Sequence, residues 1–271
     1  MKKIKAILCD FDGTLVNHNI EYYPEIKTSV KKIRDKNIRF SLATGRAYYS
    51  AVKRIEKELN IKGIHILHGG AMIFDSIANK TLLLQAISQE STIKIIQYLL
   101  TQKLTFSLEA KNCVYMSHVM KENTFYPECP NKTISELNNT EKILKILIFA
   151  RANRLSESET GFHIKNLQKS CFDISANRFN FFNFFGSDIT SEKATKHTAV
   201  LKYLKILNLF PEEVVAIGDG HNDYPLFTAC GFGIAMATAP KELKEIANLI
   251  VPSVNDGGII EAIEYINKNL I

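Results

Sequence analysis

The sequence has few of the features that mark a secreted protein, a membrane protein or a cysteine-based metal site. Its five cysteines are odd in number and widely spaced, without the paired spacing of a zinc site. We therefore expect reduced thiols and a cytoplasmic location. No apolar stretch is long enough to span a bilayer. The apolar run after Lys2 and Lys3 stops at Asp10 and is too short for the core of an export signal.

The sequence also lacks an internal repeat and a low-complexity tract. Its net charge is +6, but the lysine-rich segments 53–57 and 241–245 also contain glutamate, which is typical of solvated helix faces. We therefore expect neither nucleic acid nor a membrane among its partners. With 271 residues and 46% hydrophobic content, the chain can form one large core or two modest ones.

The most informative segment is Asp10-Phe11-Asp12-Gly13-Thr14-Leu15, which follows the apolar run Ala6-Ile7-Leu8-Cys9. A short apolar run that ends in carboxylates and a glycine predicts a buried parallel strand. Open α/β sheets bind ligands at the C-terminal edge of such strands. Because Gly13 permits a turn, Asp10 and Asp12 can take separate roles, one as a nucleophile and one in proton transfer.

Three further segments supply what a carboxylate nucleophile needs to attack a phosphate ester. The predicted strand 38–43 ends in Thr44-Gly45-Arg46, which offers a hydroxyl and backbone N–H groups. The predicted strand 214–217 ends in Gly218-Asp219-Gly220-His221-Asn222-Asp223, with carboxylates for a hard metal ion. Lys196 opens an amphipathic segment and places an ammonium at a helix start.

The order of these motifs resembles that of the haloacid dehalogenase-like (HAD) hydrolases, and within them the Cof-type phosphatases. The resemblance implies an α/β fold, with a Rossmann-like doubly wound parallel sheet core and an inserted α/β cap domain. The character of the sequence changes over residues 85–186, where short alternating runs and an aromatic segment replace the strand–helix alternation. We therefore expect core residues 1–84 and 187–271 to enclose a cap of residues 85–186.

The resemblance also implies hydrolysis in two steps through an aspartyl phosphate. Asp10 is expected to attack phosphorus, and Asp12 to protonate the leaving oxygen and later take a proton from water. Mg²⁺ is expected to be bound by the Asp10 carboxylate, the Asp12 main-chain carbonyl and Asp219. The phosphoryl group is expected to contact Thr44, Gly45, Lys196 and Asn222. Asp223 is expected to orient Lys196 or a metal-bound water.

The chain departs from the family pattern at several positions. His197 follows the motif lysine where glycine is common, and Lys193 is an alternative cation three residues earlier. His68-Gly69-Gly70-Ala71 replaces the usual Asn-Gly-Ala, so the asparagine contact to substrate of similar proteins cannot be carried over to this chain. Ala237-Thr238-Ala239 stands where Gly-Asn-Ala is expected. None of these changes alters the four motifs.

We therefore predict a Mg²⁺-dependent phosphatase that hydrolyses phosphomonoesters of small metabolites, such as sugar, flavin or pyridoxal phosphates. A phosphomutase with the same aspartyl phosphate is the alternative, followed by a non-catalytic phosphometabolite-binding protein. The phenylalanines of segment 179–185 can either pack within the cap or stack on a ring of the substrate. The sequence leaves the physiological substrate and the oligomeric state open.

Overall fold

The computed structural model describes residues 3–118, 126, 129–181 and 184–271. The strands, in chain order, are β1 (Ala6–Cys9), β2 (Arg39–Leu42), β3 (Ile64–Leu67), β4 (Met72–Asp75), β5 (Lys80–Leu84), β6 (Phe106–Ala110), β7 (Val114–Met116), β8 (Asn131–Thr133), β9 (Ile143–Phe149), β10 (Ile174–Phe181), β11 (Phe184–Ser191), β12 (Val214–Gly218), β13 (Phe232–Met236) and β14 (Leu249–Val251). The α-helices are α1 (Ile26–Asp35), α2 (Lys53–Leu59), α3 (Gln89–Thr101), α4 (Glu157–Ser170), α5 (Lys196–Leu207), α6 (Tyr224–Phe227), α7 (Lys241–Ile246) and α8 (Gly258–Asn269).

The chain divides into two compact units. The first unit comprises residues 1–46, 51–83 and 195–271, and the second comprises residues 47–50 and 84–194. The predicted boundary after Gly186 falls inside β11, which continues to Ser191 and pairs with β9 from Gly186 to Thr190. A strand cannot be divided between two sheets at that point, so the second unit extends beyond the predicted end.

The first unit is built on a parallel five-stranded sheet in the order β14-β13-β12-β1-β2. All four residues of β1 and all five of β12 are buried, which explains their continuous apolar sequences. From β1 the chain continues to β2 on one side, whereas β12 lies on the other, so the strand order reverses at β1. Ligands of open α/β sheets bind at such a reversal. The predicted fold class, a Rossmann-like parallel sheet with an inserted α/β unit, is confirmed.

Helices bury their apolar faces against this sheet. In α1, the buried residues Ile26, Val30 and Ile33 recur at helical spacing and form one face. In α5, Val200 and Tyr203 belong to the same buried cluster as Leu8 of β1. The burial of these side chains holds the first residue of α5 close to the sheet edge.

Strands β3, β4 and β5 form a separate sheet beside β2. Ala43 and Ile66 form a parallel bridge between the two sheets, and the Thr44 amide donates to the Ile66 carbonyl at 2.9 Å. Two residues earlier, the Leu42 amide donates to Nδ1 of His65 at 3.0 Å, in place of a backbone carbonyl. The imidazole therefore takes the place of one carbonyl acceptor in the ladder, at the point where the two sheets separate.

The sequence predicts one helix over residues 47–59, but the structure interrupts it. Ser50 has an extended backbone (φ −87°, ψ −161°) inside the short helical segment Tyr48–Val52, and α2 begins at Lys53. The Ser50 hydroxyl donates to the Ala47 carbonyl at 2.6 Å. Serine side chains that bond to the backbone in this way compete with helical hydrogen bonds, which accounts for the break.

The second unit contains a six-stranded sheet in the order β10-β11-β9-β6-β7-β8. One buried cluster joins Leu108 and Ile146 of the sheet to Ile95 of α3 and Leu167 of α4. The sheet also contains a buried ion pair, in which Nζ of Lys145 lies 3.1 Å from Oε1 of Glu109. The side chains of the aromatic segment 179–185 lie outside the described residues, so the prediction about their role stays a prediction.

None of the helices described here is both long and apolar enough to cross a membrane.

Candidate active site

The C-terminal end of β1 places Asp10 at the edge of the parallel sheet. Its amide donates to the carbonyl of Ile217 in β12 at 2.8 Å, so the residue continues the strand pairing. The residue is only 4% exposed. Burial raises the pKa of Asp10 well above its ordinary value, the charge of Asp223 adds to that effect, and Lys196 opposes it.

Lys196 is the first residue of α5, and its ammonium lies between two carboxylates. Nζ donates to Oδ1 of Asp10 and to Oδ1 of Asp223, both at 2.6 Å. Burial lowers the pKa of Lys196, but the charges and hydrogen bonds of the two aspartates outweigh it, so the pKa is raised. The ammonium therefore stays charged although it is buried. Lys193, the alternative cation, is exposed.

The position of Lys196 depends on the residue before it and on the turn after β3. Thr195 is the N-cap of α5, and its Oγ1 accepts from the Thr198 amide at 3.0 Å. Gly70 has φ +108°, and a Cβ there would lie 2.2 Å from the Thr195 carbonyl oxygen. Glycine is therefore required at this position so that the turn can pack against the start of α5.

Three acidic side chains lie close together next to Lys196. Asp10, Asp219 and Asp223 each offer a carboxylate oxygen, and these oxygens lie within 4.8 Å of one another. Thr14 donates to Asp219 at 3.2 Å. Gly13 has φ +76°, and a Cβ there would lie 2.2 Å from an Asp219 oxygen, so a side chain would displace this carboxylate.

Asp223 is held by the loop that carries it. Its Oδ2 accepts from the amides of Asp219 and Gly220, both at 3.0 Å, while its other oxygen accepts from Lys196. Asp223 therefore links the loop after β12 to the start of α5. The predicted orienting role of Asp223 stays a prediction.

Burial and the neighbouring Asp223 raise the pKa of Asp219 to about 7. Several carboxylates with little access to water and a single buried ammonium leave an excess of negative charge. Oxygen ligands of this kind fit a hard divalent cation such as Mg²⁺ or Ca²⁺. The residues present therefore fit a divalent metal, as the family resemblance implies.

Asp12 lies at the same edge and makes a contact that the sequence did not reveal. Arg46 donates to both of its carboxylate oxygens, from Nε at 2.7 Å and from Nη2 at 2.8 Å. The guanidinium also lies over the Phe11 ring, with Cζ 5.5 Å from the ring centroid. Arg46 was visible as the last residue of the Thr-Gly-Arg motif, but nothing in the motif indicated a carboxylate partner.

The remaining predicted phosphate-binding residues occupy two loops. Thr44 is buried after β2, and its Oγ1 accepts from the Arg46 amide at 3.1 Å. Gly45, next to it, is half-buried. Asn222 is exposed in the turn after β12. The structure thus brings Asp10, Lys196, Asp219 and Asp223 into one cluster, and joins Asp12 to the Thr44 loop through Arg46.

The fold is that of haloacid dehalogenase-like hydrolases. A solved structure of such a hydrolase from Bacteroides thetaiotaomicron has a TM-score of 0.84 and 22% identity, and the match covers 97% of this chain and 100% of that chain. A subclass IIB sugar phosphatase of the superfamily has a TM-score of 0.78 and 20% identity, over 96% of this chain and 98% of that chain.

The sequence agrees with the fold. The family model of haloacid dehalogenase-like hydrolases matches residues 7–263, so the chain belongs to this family. A phosphoglycolate phosphatase from Methanosarcina acetivorans is 27% identical, with 98% of each chain covered. The family resemblance predicted from the four motifs is confirmed.

Proposed function

We propose that this protein is a Mg²⁺-dependent phosphatase that cleaves small phosphomonoesters through an aspartyl phosphate on Asp10. The observation that carries the proposal is the buried ammonium of Lys196 between Asp10 and Asp223, beside a third carboxylate, Asp219. The enzyme class, a phosphoric monoester hydrolase of this family, was predicted from the sequence and is confirmed by the family match and by phosphatases among its relatives.

A divalent cation belongs to this proposal, with Mg²⁺ as its identity. The Asp10 and Asp219 carboxylates and the Asp12 main-chain carbonyl would bind it. When bound, the ion offsets negative charge on the carboxylates and on the phosphoryl oxygens. Lys196 carries a second positive charge to the same place, and Thr44 and the Gly45 amide are proposed as hydrogen-bond donors to the phosphoryl group.

The reaction is proposed in two displacements. First, an oxygen of Asp10 forms a bond to phosphorus while the bond to the leaving oxygen breaks, and Asp12 gives that oxygen a proton. Then water forms a bond to phosphorus, Asp12 takes its proton, and the bond between Asp10 and phosphorus breaks. The products are the alcohol and inorganic phosphate.

The Arg46 contact adds a requirement to this scheme. Both oxygens of Asp12 accept hydrogen bonds from Arg46. The oxygen that gives a proton to the leaving group must point its O–H at that group, and it cannot do so while it faces a guanidinium, which only donates. Asp12 must therefore loosen at least one bond to Arg46 before it can protonate a leaving group.

The second unit, which includes the predicted cap residues 85–186, is proposed to select the leaving group. The names of the relatives define the first compounds to test, because one is a phosphoglycolate phosphatase and another a sugar phosphatase. Flavin and pyridoxal phosphates complete the set of small phosphomonoesters. We expect a small aryl phosphate to be a general substrate whose rate depends little on the cap.

The test is a panel of these esters with Mg²⁺, in which free phosphate is measured for the wild type and for Asp10→Asn. We expect the wild type to release phosphate and Asp10→Asn to fold but release none, because the nucleophile is absent. Phosphate release by the purified variant at a substantial rate would exclude the covalent mechanism. An isomerised sugar phosphate in place of free phosphate would identify a phosphomutase. Binding without any turnover would identify a phosphometabolite-binding protein.

A further inference from the structure

A buried pair outside the acidic cluster connects α2 to β3. Nε2 of His65 lies 3.0 Å from Oε1 of Glu56, and both side chains are almost fully buried. Nδ1 of the same imidazole accepts from the Leu42 amide at 3.0 Å. Because Nδ1 acts as an acceptor, the ring proton is on Nε2, which donates to Glu56. The two hydrogen bonds fix both the tautomer and the orientation of the ring.

The ring acts on the strand that leads into the Thr-Gly-Arg motif. Leu42 is the last residue of β2, and the segment Ala43–Arg46, here called the motif loop, follows it directly. This segment carries Arg46, which binds both oxygens of Asp12. A displacement of the end of β2 would therefore move the partner of the proposed acid.

Hydrogen bonds anchor the motif loop at every second residue to β3 and the turn that follows it. The Thr44 amide donates to the Ile66 carbonyl at 2.9 Å, and the Thr44 carbonyl accepts from Gly69 at 2.9 Å. The Arg46 carbonyl accepts from the amide of His68 at 3.0 Å. His65 supplies the first of these anchors, at Leu42, and makes it through its side chain.

We infer that Glu56 and His65 form a positioning pair, which sets the motif loop and, through it, the contact between Arg46 and Asp12. The inference rests on the proposed function for its consequence in catalysis. Neither side chain contacts substrate in this scheme, because both are almost fully buried. Glu56 orients the imidazole, and Nδ1 of the imidazole accepts from the Leu42 amide in place of a backbone carbonyl.

Three variants and one control separate positioning from stability. His65→Leu removes both hydrogen bonds of the ring. Glu56→Ala removes the acceptor of Nε2, whereas Glu56→Gln keeps an oxygen that can accept. Tyr203→Phe is the matched control, because it removes a buried hydrogen bond of 2.9 Å to Ser41, also on β2, and leaves the motif loop alone. All are compared at a temperature at which circular dichroism shows them folded.

We expect kcat of His65→Leu on an alkyl phosphate to fall about 10-fold or more with a smaller change in KM, because small misplacements of catalytic groups are costly. Glu56→Ala should show the same direction of change, and Glu56→Gln should recover most of the loss. Equal kcat in His65→Leu and Tyr203→Phe would overturn the inference. If His65→Leu does not fold, equal kcat in Glu56→Ala and Glu56→Gln would overturn it.

A second readout does not depend on turnover. Ring ¹⁵N chemical shifts of His65 should show an unprotonated Nδ1 and a protonated Nε2, and a protonated Nδ1 would overturn the inference. Amide exchange at Leu42 and Thr44 should accelerate in Glu56→Ala and stay unchanged in Tyr203→Phe, whereas equal exchange in both would also overturn it. A wild type that hydrolyses none of the esters would refute the proposed function, and these measurements would still decide the role of the pair.

Discussion

Lys196 shows how opposing effects act on one buried side chain. Burial alone would favour a neutral amine, but two carboxylates at 2.6 Å outweigh it and keep the ammonium charged. In turn, the ammonium allows Asp10 and Asp223 to lie close together with little water. Among the described cations, Lys196 is the one that offsets the negative charge of Asp10 and Asp223 by direct contact.

Replacement of Lys196 by methionine should destabilise the metal-free protein by about 3–5 kcal/mol, because it leaves buried carboxylates without their partner. Urea unfolding at neutral pH measures the loss, and added Mg²⁺ should reverse part of it. Lys193→Met is the control, since that side chain is exposed and should change stability by less than about 0.5 kcal/mol. Similar stability of the two variants would contradict this account of the cluster.

Asp12 can be tested by the choice of leaving group. Asp12→Ala should slow phosphoryl transfer from an alkyl phosphate on the order of 10² to 10⁴-fold, because that oxygen needs a proton to leave. Nitrophenyl phosphate should phosphorylate Asp10 with far less impairment. Rapid mixing should show a nitrophenol burst of about one equivalent per site followed by slow turnover. Equal slowing of the burst for both substrates would assign Asp12 a structural role instead.

At the scale of an element, α5 carries Lys196 at its first position, so its N-cap affects both stability and the site. Thr195→Ala should cost about 1 kcal/mol of stability and lower kcat, because the helix start that holds Lys196 loosens. Ser156→Ala removes the matching N-cap of α4 in the second unit. That control should lose similar stability with kcat unchanged. A fall in kcat of the same size in Thr195→Ala and Ser156→Ala would show that the N-cap of α5 has no specific effect on the site.

The elements also differ in how well the sequence predicts them. The strands β1 and β12 appear close to their predicted residues, since short apolar runs that end in aspartate or glycine are strong local signals. The sequence predicts a helix over 92–102, whereas α3 begins three residues earlier, at Gln89, because Ser88 caps it and accepts from the Ser91 amide at 3.1 Å. The break at Ser50 depends on a side-chain bond that periodicity does not reveal.

For the whole molecule, the carboxylate cluster predicts a stability that depends on pH and metal. The pKa of Asp219 is raised from its ordinary value near 4 to about 7 in the metal-free protein, so the folded state holds a proton that the unfolded state has released. The stability that the folded protein gains from holding this proton is fully present below about pH 4, and it is lost as the pH rises to about 7. Mg²⁺ bound to Asp219, as proposed, would have to displace that proton, so the effect of Mg²⁺ on stability should grow over the same range.

Thermal unfolding with and without Mg²⁺ between pH 5 and 8 measures this effect. We expect Mg²⁺ to raise Tm, and to raise it more at the upper end, since a ligand that binds the folded state stabilises it. Asp219→Asn is the control and should lose most of the Mg²⁺ effect and its dependence on pH. A Tm increase of equal size in that variant, or one that shrinks as the pH rises, would show that the ion binds elsewhere.

The sequence by itself determined the buried strands and the residues that follow them, because both are encoded in short segments of the chain. Apolar runs predicted the buried parallel strands, and the residues just after them predicted which carboxylates lie at the sheet edge, since strand direction and the C-terminal edge follow from short segments. Asp10, Asp219 and Lys196 could therefore be proposed as neighbours, although Lys196 and Asp10 are 186 residues apart. Their roles remain the proposal made above.

The tertiary structure decided what depends on packing between distant segments. It distinguishes Lys196 from Lys193, pairs Arg46 with Asp12, and inserts His65 between two strands. It also extends the second unit through β11. None of these has a periodic signal, because each depends on which side chains meet once the strands and helices are packed. Local pattern therefore predicted which side chains lie at the sheet edge, and packing determined which partners those side chains contact.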